Sequence, residues 1–275
     1  MIERFIESNL CPKFDVIFID EAQDLSPIQW KMYDILKKNS KIVILAGDDD
    51  QAIYGWAGAD VKRFQDEPAK EKVLPKSYRV PIKVQQVADS IITQISTRLT
   101  KEWEPRDYEG HCEDVYSIDE VDLTRGNWLI LARTNYRLIK LKEPLIERGI
   151  YFEYKDRKSF SAKLYKAIQD FTRWTNGNPL TPPEIKDIFD YTGHTFDVDE
   201  ANTYECTEFG IDYADTWYEK FNADPEQTLY IRQMLSNKEK LSQDARVKLS
   251  TIHSAKGGEA DNVLLILDNT DKIRE

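Results

Sequence analysis

The sequence has few cysteines and no long apolar run, and each shortage excludes a class of protein. Its three cysteines, Cys11, Cys112 and Cys206, are far apart and odd in number, so they form neither a disulfide framework nor a metal-binding spacing. No apolar stretch is long enough to span a bilayer, and the N-terminus has no signal-peptide pattern. We therefore expect a cytoplasmic protein that contacts no membrane.

Basic residues are also fewer than acidic ones. The chain has 38 Lys and Arg against 49 Asp and Glu, which gives a formal net charge of −11. A general polyanion binder normally takes its phosphate contacts from an excess of Lys and Arg, so we expect any nucleic acid to bind in a local groove, with base stacking supplying much of the energy. The 275 residues, 41% of them hydrophobic, predict one large globular domain or two modest ones.

The most informative segment is an apolar run, Phe14–Ile19, that ends in the adjacent carboxylates Asp20 and Glu21. A continuous hydrophobic run is typical of a strand buried on both faces, and ligands of open α/β sheets bind beyond the carboxyl ends of such strands. In an NTPase the first carboxylate would hold magnesium and the second would orient the attacking water. A buried strand followed by a solvated acidic turn is an equally good interpretation of this run alone.

Strand and helix signals alternate along the first 160 residues, as a parallel α/β sheet requires. Ser26 and Pro27 predict the start of a helix that ends near Asn39. Another helix is predicted to open at Pro81 and to turn its apolar side chains inward. Further strands are predicted at residues 41–46, 73–74, 128–132, 151–154, 247–251 and 262–267. Those at 41–46, 128–132 and 262–267 are predicted to be buried. Residues 163–244 lack long β-branched runs and predict a small all-helical insertion.

Five segments, in this order, resemble motifs of the superfamily-1 helicases of the UvrD/Rep/PcrA kind. Residues 20–24 resemble motif II, the Walker B element; residues 46–59 resemble motif III; residues 74–79 resemble motif IV; residues 131–135 resemble the segment just after it; and residues 251–259 resemble motif V. The resemblance implies an α/β fold of RecA-like, parallel-sheet P-loop NTPase lobes. Residues 1–75 would be the C-terminal part of the first lobe, 76–160 and 246–275 an incomplete second lobe, and 161–245 the helical insertion.

The same resemblance implies ATP and Mg²⁺ as cofactors. Asp20 would orient the magnesium and Glu21 would act as the general base. Gln51 would sense the γ-phosphate, and Arg79 would be an arginine finger from the second lobe; outside its motif, Arg79 is an ordinary surface arginine. Gln23 is also assigned to nucleotide binding.

Single-stranded DNA is the implied partner. Tyr54 and Trp56 occupy a glycine-flanked turn that stacks bases in the family, and stacking tolerates any base sequence. Core packing of both rings is the alternative.

Motif V supplies the remaining implied contacts. Thr251 and His253 would contact the DNA backbone, with a purely structural role as the alternative for the histidine. Lys256 and Glu259 would help join the nucleotide site to the DNA site. The family usually has a leucine where Gly258 stands and an aromatic where Ala260 stands, which leaves the role of Glu259 open.

The sequence contains no Gly-Lys pair and hence no Walker A loop, which a motor of this family needs to hold the phosphates. After motif V, Arg274 is the single arginine left to act as a second finger. We therefore expect part of a longer ATP-dependent helicase that translocates 3′ to 5′, with missing parts of its own chain as partners and no ATP hydrolysis by these residues alone. A non-catalytic interaction module is the alternative, a helicase–nuclease fusion is untested, and the oligomeric state is unknown.

Overall fold

The computed structural model describes residues 1–193, 202–241 and 243–267. Backbone contacts divide the chain into two compact units, Met1–Tyr116 and Ser117–Glu275. The first unit extends beyond residue 75, where the sequence placed a lobe boundary, and the division into lobes and insertion stays a prediction. Arg274 and the other residues of 268–275, together with 194–201 and 242, lie outside the described residues.

The first unit alternates helices and strands, as predicted. Its elements are α1 (Ile2–Ser8), β1 (Phe14–Ile19), α2 (Pro27–Lys38), β2 (Ser40–Leu45), α3 (Val61–Gln65) and α4 (Ile82–Ile92). β1 and β2 pair in parallel, with Val16 opposite Ile42 and Phe18 opposite Ile44. Because parallel strands end at the same edge of a sheet, this pairing brings the segments after β1 and β2 together.

The start of α2 shows how local sequence sets these elements. Ser26 is the N-cap, and its backbone N–H donates to Gln29 Oε1 at 2.9 Å while its hydroxyl donates to the same oxygen at 2.7 Å. Pro27 occupies the first helical position, where no backbone donor is needed. The helix buries Trp30 and Tyr33 and ends at Asn39, so its predicted start and end are confirmed.

The prediction that β1 and β2 are buried on both faces is wrong. Phe18 is 74% exposed and Ile42 is 54% exposed, and Val16 and Ile44 are also exposed. These side chains alternate with half-buried ones, such as Ile17, because successive residues of a strand point to opposite faces. An apolar run does not distinguish a strand covered on one face from a strand covered on both.

Two further expectations for the first unit are wrong. Residues 73 and 74 form no strand and are exposed; the nearest strand-like pairing is an isolated bridge between Lys76 and Glu104. Helix α4 forms as predicted, but its apolar residues Val87 and Ile91 are exposed instead of buried. The helix instead buries Gln85, whose side-chain amide donates to the carbonyl of Trp103 at 3.0 Å. The apolar pattern of this helix therefore did not identify the side chain that it buries.

Within the described residues the second unit combines a five-stranded sheet with a group of helices. Its elements are β3 (Trp128–Ala132), α5 (Asn135–Glu147), β4 (Phe152–Tyr154), β5 (Arg157–Lys158), α6 (Ala162–Thr175), α7 (Pro182–Thr192), α8 (Trp217–Lys220), α9 (Pro225–Ser236), β6 (Val247–Thr251) and β7 (Asn262–Ile266). The strand order is β5-β4-β6-β3-β7, and only the β4–β5 pair is antiparallel. The chain is therefore a mixed α/β protein with parallel-strand sheets.

Helices α6 to α9 contribute most of the residues of an apolar core in the second unit. Trp174, Phe171 and Ile231 are almost completely buried there, and Trp174 Nε1 donates to the carbonyl of Tyr204 at 2.8 Å. The regular structure of the described part of 163–244 is helical apart from an isolated bridge at Leu180. Across the described ranges, no helix has the length and apolar character needed to cross a membrane.

Candidate functional site

The loops after β1 and β2 are joined by backbone hydrogen bonds that continue the ladder past the strand ends. The N–H of Ala46 donates to the carbonyl of Ile19 at 2.8 Å, and the N–H of Ala22 donates to the carbonyl of Ala46 at 3.0 Å. The loop that contains Asp20 and Glu21 is therefore held beside the loop of residues 47–51.

A chain of side-chain hydrogen bonds connects the predicted base to the predicted sensor. Gln23 is completely buried; its Nε2 donates to Glu21 Oε2 at 2.5 Å, and its Oε1 accepts from the N–H of Asp48 at 3.0 Å. Gln51 Nε2 then donates to Asp48 Oδ2 at 2.7 Å. Three of the predicted site residues thus share one network, and the buried amide of Gln23 fixes the distance between the two loops. A direct contact of Gln23 with nucleotide stays a prediction.

Glu21 adopts a backbone conformation that its sequence does not favour. Its φ is +52°, in the left-handed region, and it caps the single 3₁₀ turn that follows β1. Non-glycine residues rarely adopt this region, and such residues cluster at functional sites. The N–H of Glu21 donates to Asp20 Oδ1 at 2.9 Å, so the Asp20 carboxylate is held against the backbone at the strand end.

Gly47 is required by the close approach of the buried amide. A Cβ at this position would lie 2.7 Å from Gln23 Oε1 and 2.9 Å from the ring of Phe64. We expect Gly47→Ala to displace Gln23 and to lower the free energy of unfolding by about 1–3 kcal/mol, measured by urea denaturation. Gly55→Ala is the matched control, since nothing lies within 4 Å of its Cβ. Equal stabilities of the two variants would contradict this packing.

Three consecutive carboxylates in motif III form a cluster that the sequence analysis missed. Oxygens of Asp48, Asp49 and Asp50 lie within 4.8 Å of one another. Lys101 Nζ lies 2.7 Å from Asp48 Oδ1 and 3.3 Å from Asp50 Oδ2 and also contacts Asp49. Arg98 donates to both oxygens of Asp50, at 2.7 and 2.6 Å. The aspartates are visible in the sequence, but their cations follow about fifty residues later in a segment without periodicity.

Charge pairing in this cluster outweighs its desolvation. Burial pushes the pKa of Asp49 upward, but hydrogen bonds from Lys101, the backbone of Leu99 and Gln65 bring it below the ordinary value of 3.8. The hydrogen bond from Arg98 lowers the pKa of Asp50 against a smaller effect of burial. Burial lowers the pKa of Lys101, yet its bonds to the aspartates raise it overall. Asp49, Asp50 and Lys101 are therefore charged at neutral pH, and Asp48 connects this cluster to Gln51.

Arg79 lies in an exposed turn of the first unit. The hydroxyl of Ser77 accepts from the N–H of Arg79 at 3.4 Å and from the N–H of Val80 at 3.1 Å. The turn is tied to residues 104–106, because the N–H of Ser77 donates to the carbonyl of Glu104 at 2.8 Å. The backbone of Arg79 is thus well anchored, and its role as an arginine finger stays a prediction.

Tyr54 and Trp56 occupy a short exposed loop. Trp56 is 75% exposed and Tyr54 is half-buried, so core packing does not account for the tryptophan. The N–H groups of Ala57 and Ala59 both donate to the carbonyl of Tyr54, at 2.9 and 3.2 Å. Gly58 closes the turn at φ +90°. This is a tightly bonded loop that presents a large ring, as a stacking platform requires.

The motif V residues lie in the second unit, at the last residue of β6 and in the turn after it. Thr251 Oγ1 donates to Ser254 Oγ at 2.9 Å and accepts from the N–H of Ser254 at 3.2 Å. The N–H of Lys256 donates to the carbonyl of His253 at 3.4 Å. His253 and Lys256 are half-buried, whereas Glu259 is exposed. Their predicted contacts with DNA and nucleotide stay predictions.

The donor groups at the strand ends fit part of the implied cofactor set. Asp20 offers an exposed carboxylate, and magnesium is commonly held by one or two carboxylates together with waters and phosphates. Asp48–Asp50 already have Lys101 and Arg98 as counter-ions. Among the described carboxylates, Asp20 therefore fits the predicted magnesium role better than the motif III cluster, and that role stays a prediction.

Comparisons with known proteins find similar sequences among DNA helicases. Residues 4–72 match the family model of the UvrD/REP helicase N-terminal domain. DNA helicase II of Haemophilus influenzae is 35% identical over 186 residues, which cover 60% of this chain and 26% of that protein. The chain is a relative of the UvrD/Rep/PcrA helicases. ATP-dependent DNA helicase Rep of Buchnera aphidicola is 28% identical over 187 residues, covering 65% of this chain and 27% of that protein.

The match to PcrA of Staphylococcus epidermidis is 35% identical over 94 residues, which cover 32% of this chain and 13% of that protein. The chain thus spans about a quarter of the length of the first two UvrD/Rep/PcrA relatives. The segment matched by the family model includes β1, β2 and the whole hydrogen-bond chain from Glu21 to Gln51.

Proposed function

We propose that the chain is part of an ATP-dependent DNA helicase that moves 3′ to 5′ along single-stranded DNA. The observation that carries the proposal is the hydrogen-bond chain from Glu21 through Gln23 and Asp48 to Gln51. A general base and a phosphate sensor act on the same water and phosphate, so they must be positioned relative to each other. A buried amide that bonds both loops supplies that positioning.

In this proposal Glu21 takes the proton of the attacking water and Gln51 orients the water or donates to the γ-phosphate. Asp20 holds Mg²⁺, which when bound neutralises charge on the phosphates. The guanidinium of Arg79 stabilises the same negative charge on the phosphates. Lys256 and Glu259 of motif V link this site to DNA. The phosphates themselves need a Walker A loop, which these 275 residues do not contain.

The fold assignment belongs to the same proposal. We assign residues 1–75 to a first RecA-like lobe, residues 76–160 and 246–275 to a second, and residues 161–245 to a helical insertion. The parallel strands of both units and the helical core between β5 and β6 support this division. The three cysteines are free thiols, which supports a reducing cytosolic compartment.

DNA binding by the loop of Tyr54 and Trp56 is directly testable with this chain. We expect a fluorescently labelled oligothymidine to bind the chain, and Trp56→Ala to weaken binding by about 1–3 kcal/mol, or about 5- to 150-fold. Fluorescence anisotropy measures both affinities. Trp56→Tyr should retain most of the affinity because it keeps an exposed ring. If Trp56→Ala binds as tightly as the unchanged chain, the stacking role of this loop is wrong.

Nucleotide turnover gives the second test of the proposal. We expect the purified chain to show no DNA-stimulated release of phosphate from ATP, because no lysine and Gly-rich loop hold the β- and γ-phosphates. A coupled phosphate-release assay with and without single-stranded DNA measures this. Robust turnover that Glu21→Gln abolishes would contradict the expectation, and would mean that the chain holds the phosphates by residues not assigned here.

A further inference from the structure

A buried carboxylate fastens the segment of α3 to α2. Glu67 follows the last residue of α3 by two positions, and its side chain is 3% exposed. Its Oε1 accepts from Tyr33 Oη at 2.8 Å and from Lys37 Nζ at 2.5 Å. Its Oε2 lies 2.5 Å from a guanidinium nitrogen of Arg63. A glutamate is seldom buried this deeply unless it is paired, so these contacts account for its position.

Arg63, which lies within α3, makes a second attachment to α2. Its guanidinium donates to Asp34 Oδ1 at 3.1 Å and lies 5.2 Å from the ring centre of Trp30. The α2 residues that the two attachments contact are spaced i, i+3, i+4 and i+7, so they lie along one face of that helix: Trp30, Tyr33, Asp34 and Lys37. Residues 63–67 are therefore fixed to one face of α2.

Opposite charges stabilise these attachments. Burial raises the pKa of the Glu67 carboxyl. Hydrogen bonds from Lys37 and Tyr33, together with the charge of Arg63, outweigh burial and bring that pKa below its ordinary value of 4.5. Burial lowers the pKa of Arg63, and the charges of Glu67 and Asp34 raise it overall. Glu67 and Arg63 are therefore both ionised at neutral pH.

The next two residues of α3 contact the candidate site. The ring of Phe64 lies against Gly47, where it would be 2.9 Å from an added Cβ. Gln65 Nε2 donates to Asp49 Oδ2 at 2.8 Å and to the carbonyl of Thr97 at 3.2 Å. Three consecutive residues of one short helix thus contact α2, Gly47 and the motif III cluster.

The contact of Phe64 adjoins the bond that joins the two loops of the site. Gln23 Oε1 accepts from the N–H of Asp48 at 3.0 Å, and the same oxygen would lie 2.7 Å from a Cβ at Gly47. Because Gly47 has no side chain, the ring of Phe64 and the amide of Gln23 share the space beside its Cα. Protein interiors are close-packed, so a shift of α3 would open a gap beside this amide.

We propose that Arg63 and Glu67 are positioning residues of the candidate nucleotide site. They fix α3 to α2 and thereby keep Phe64 against Gly47, which preserves the hydrogen bond from the N–H of Asp48 to the buried glutamine. The importance of this support for hydrolysis rests on the function proposed above. The support itself belongs to the first unit alone and is measurable without nucleotide or DNA.

Amide hydrogen exchange followed by NMR tests the proposal with this chain. Glu67→Gln is expected to lower the protection of the Asp48 N–H by about 5- to 10-fold relative to amides in the middle of β1 and β2, the factor that corresponds to losing one hydrogen bond. Arg63→Met should have the same effect. Glu67→Gln is expected to fold, since the side chains of Lys37 and Arg63 are 43% and 33% exposed and reach water.

Asp66→Asn and Lys62→Gln are the matched controls, because they remove the same charges from exposed positions beside Glu67 and Arg63. Both controls should leave the relative protection of the Asp48 N–H unchanged. If Glu67→Gln lowers the protection of all these amides by one common factor, its role is purely structural and the proposal is overturned.

A double-mutant cycle tests whether the effect passes through Phe64. Phe64→Ala alone should lower the relative protection of the Asp48 N–H as Glu67→Gln does. Adding Glu67→Gln to Phe64→Ala should then lower it by less than about twofold more, because residues that act through a shared contact are not additive. Fully additive losses would show that Glu67 acts by another route and would contradict the assignment.

The DNA-binding measurement described above separates this inference from the proposed function. If the Asp48 N–H responds as expected while Trp56→Ala binds oligothymidine as tightly as the unchanged chain, the stacking role fails and the positioning residues stand. If Trp56→Ala weakens binding while the Asp48 N–H does not respond to Glu67→Gln or Arg63→Met, the positioning residues fail alone.

Discussion

Lys101→Met is expected to lower the free energy of unfolding of the first unit by about 3–5 kcal/mol, because removing one partner of a buried ion pair leaves uncompensated charge. Here the substitution leaves Asp48, Asp49 and Asp50 within 4.8 Å of one another with Arg98 as their remaining described counter-ion. Urea denaturation followed by circular dichroism measures the loss. Lys72→Met is the control, since Lys72 is exposed.

The pH dependence of the same variant has a definite sign. In the unchanged chain the pKa values of Asp49 and Asp50 lie below 3.8, so their stabilising effect is present above 3.8 and is lost as pH falls through the lower folded values. Without Lys101 the carboxylates repel one another, and protonation relieves that repulsion. The difference in stability between the two proteins should therefore narrow as pH falls below about 4.

Two outcomes would contradict this account. If Lys101→Met lowers the free energy of unfolding by less than about 1 kcal/mol, the cluster behaves as a set of exposed ion pairs. A stability difference that stays constant from neutral to acidic pH would mean that Lys101 acts through packing alone. The double variant Lys101→Met, Asp49→Asn should recover part of the loss, because it removes a charge that the single variant leaves unpaired.

Trp174→Ala is expected to lower the free energy of unfolding by about 3–5 kcal/mol, the range for removing a fully buried aromatic side chain. Trp174 is completely buried, and its ring centre lies 5.6 Å from that of Phe209 and 6.3 Å from that of Phe189. Its loss also removes the donor to the carbonyl of Tyr204. Hydrogen exchange measured by mass spectrometry should show faster exchange in α6 and α7.

Trp56→Ala is the matched control for stability, since the side chain is 75% exposed and substitutions at such positions usually change stability by less than about 0.5 kcal/mol. Equal unfolding free energies for the two tryptophan variants would contradict the assigned core. Trp174→Phe should lie between them, because it keeps the aromatic contacts and loses the hydrogen bond.

The sequence predicted elements well where local chemistry decides the outcome. Ser26, Gln29 and Pro27 specify the start of α2 by themselves, and the run 247–251 coincides with β6. Burial was predicted poorly because it depends on neighbours that periodicity does not identify. The sequence pattern predicted Phe18 and Ile42 to be core residues, yet both side chains are exposed. Ile91 was likewise predicted to point inward, yet it is exposed, and Gln85 is the buried residue of its helix.

The candidate site shows the same difference between features set by local sequence and features set by distant residues. Motif resemblance found Glu21, Gln23 and Gln51, and the structure joins all three. Resemblance found neither the left-handed backbone of Glu21 nor the part played by Lys101, because a dihedral angle and a contact over fifty residues leave no local pattern.

The bond from Lys101 to Asp48 limits how this protein can be re-engineered. Asp48 accepts from Gln51 with one oxygen and from Lys101 with the other, so the orientation of the glutamine depends on a residue far outside its own loop. Exchanging residues 47–51 with the matching segment of a relative would transplant the glutamine without the lysine that supports it. A chimera needs both segments, taken from the same parent.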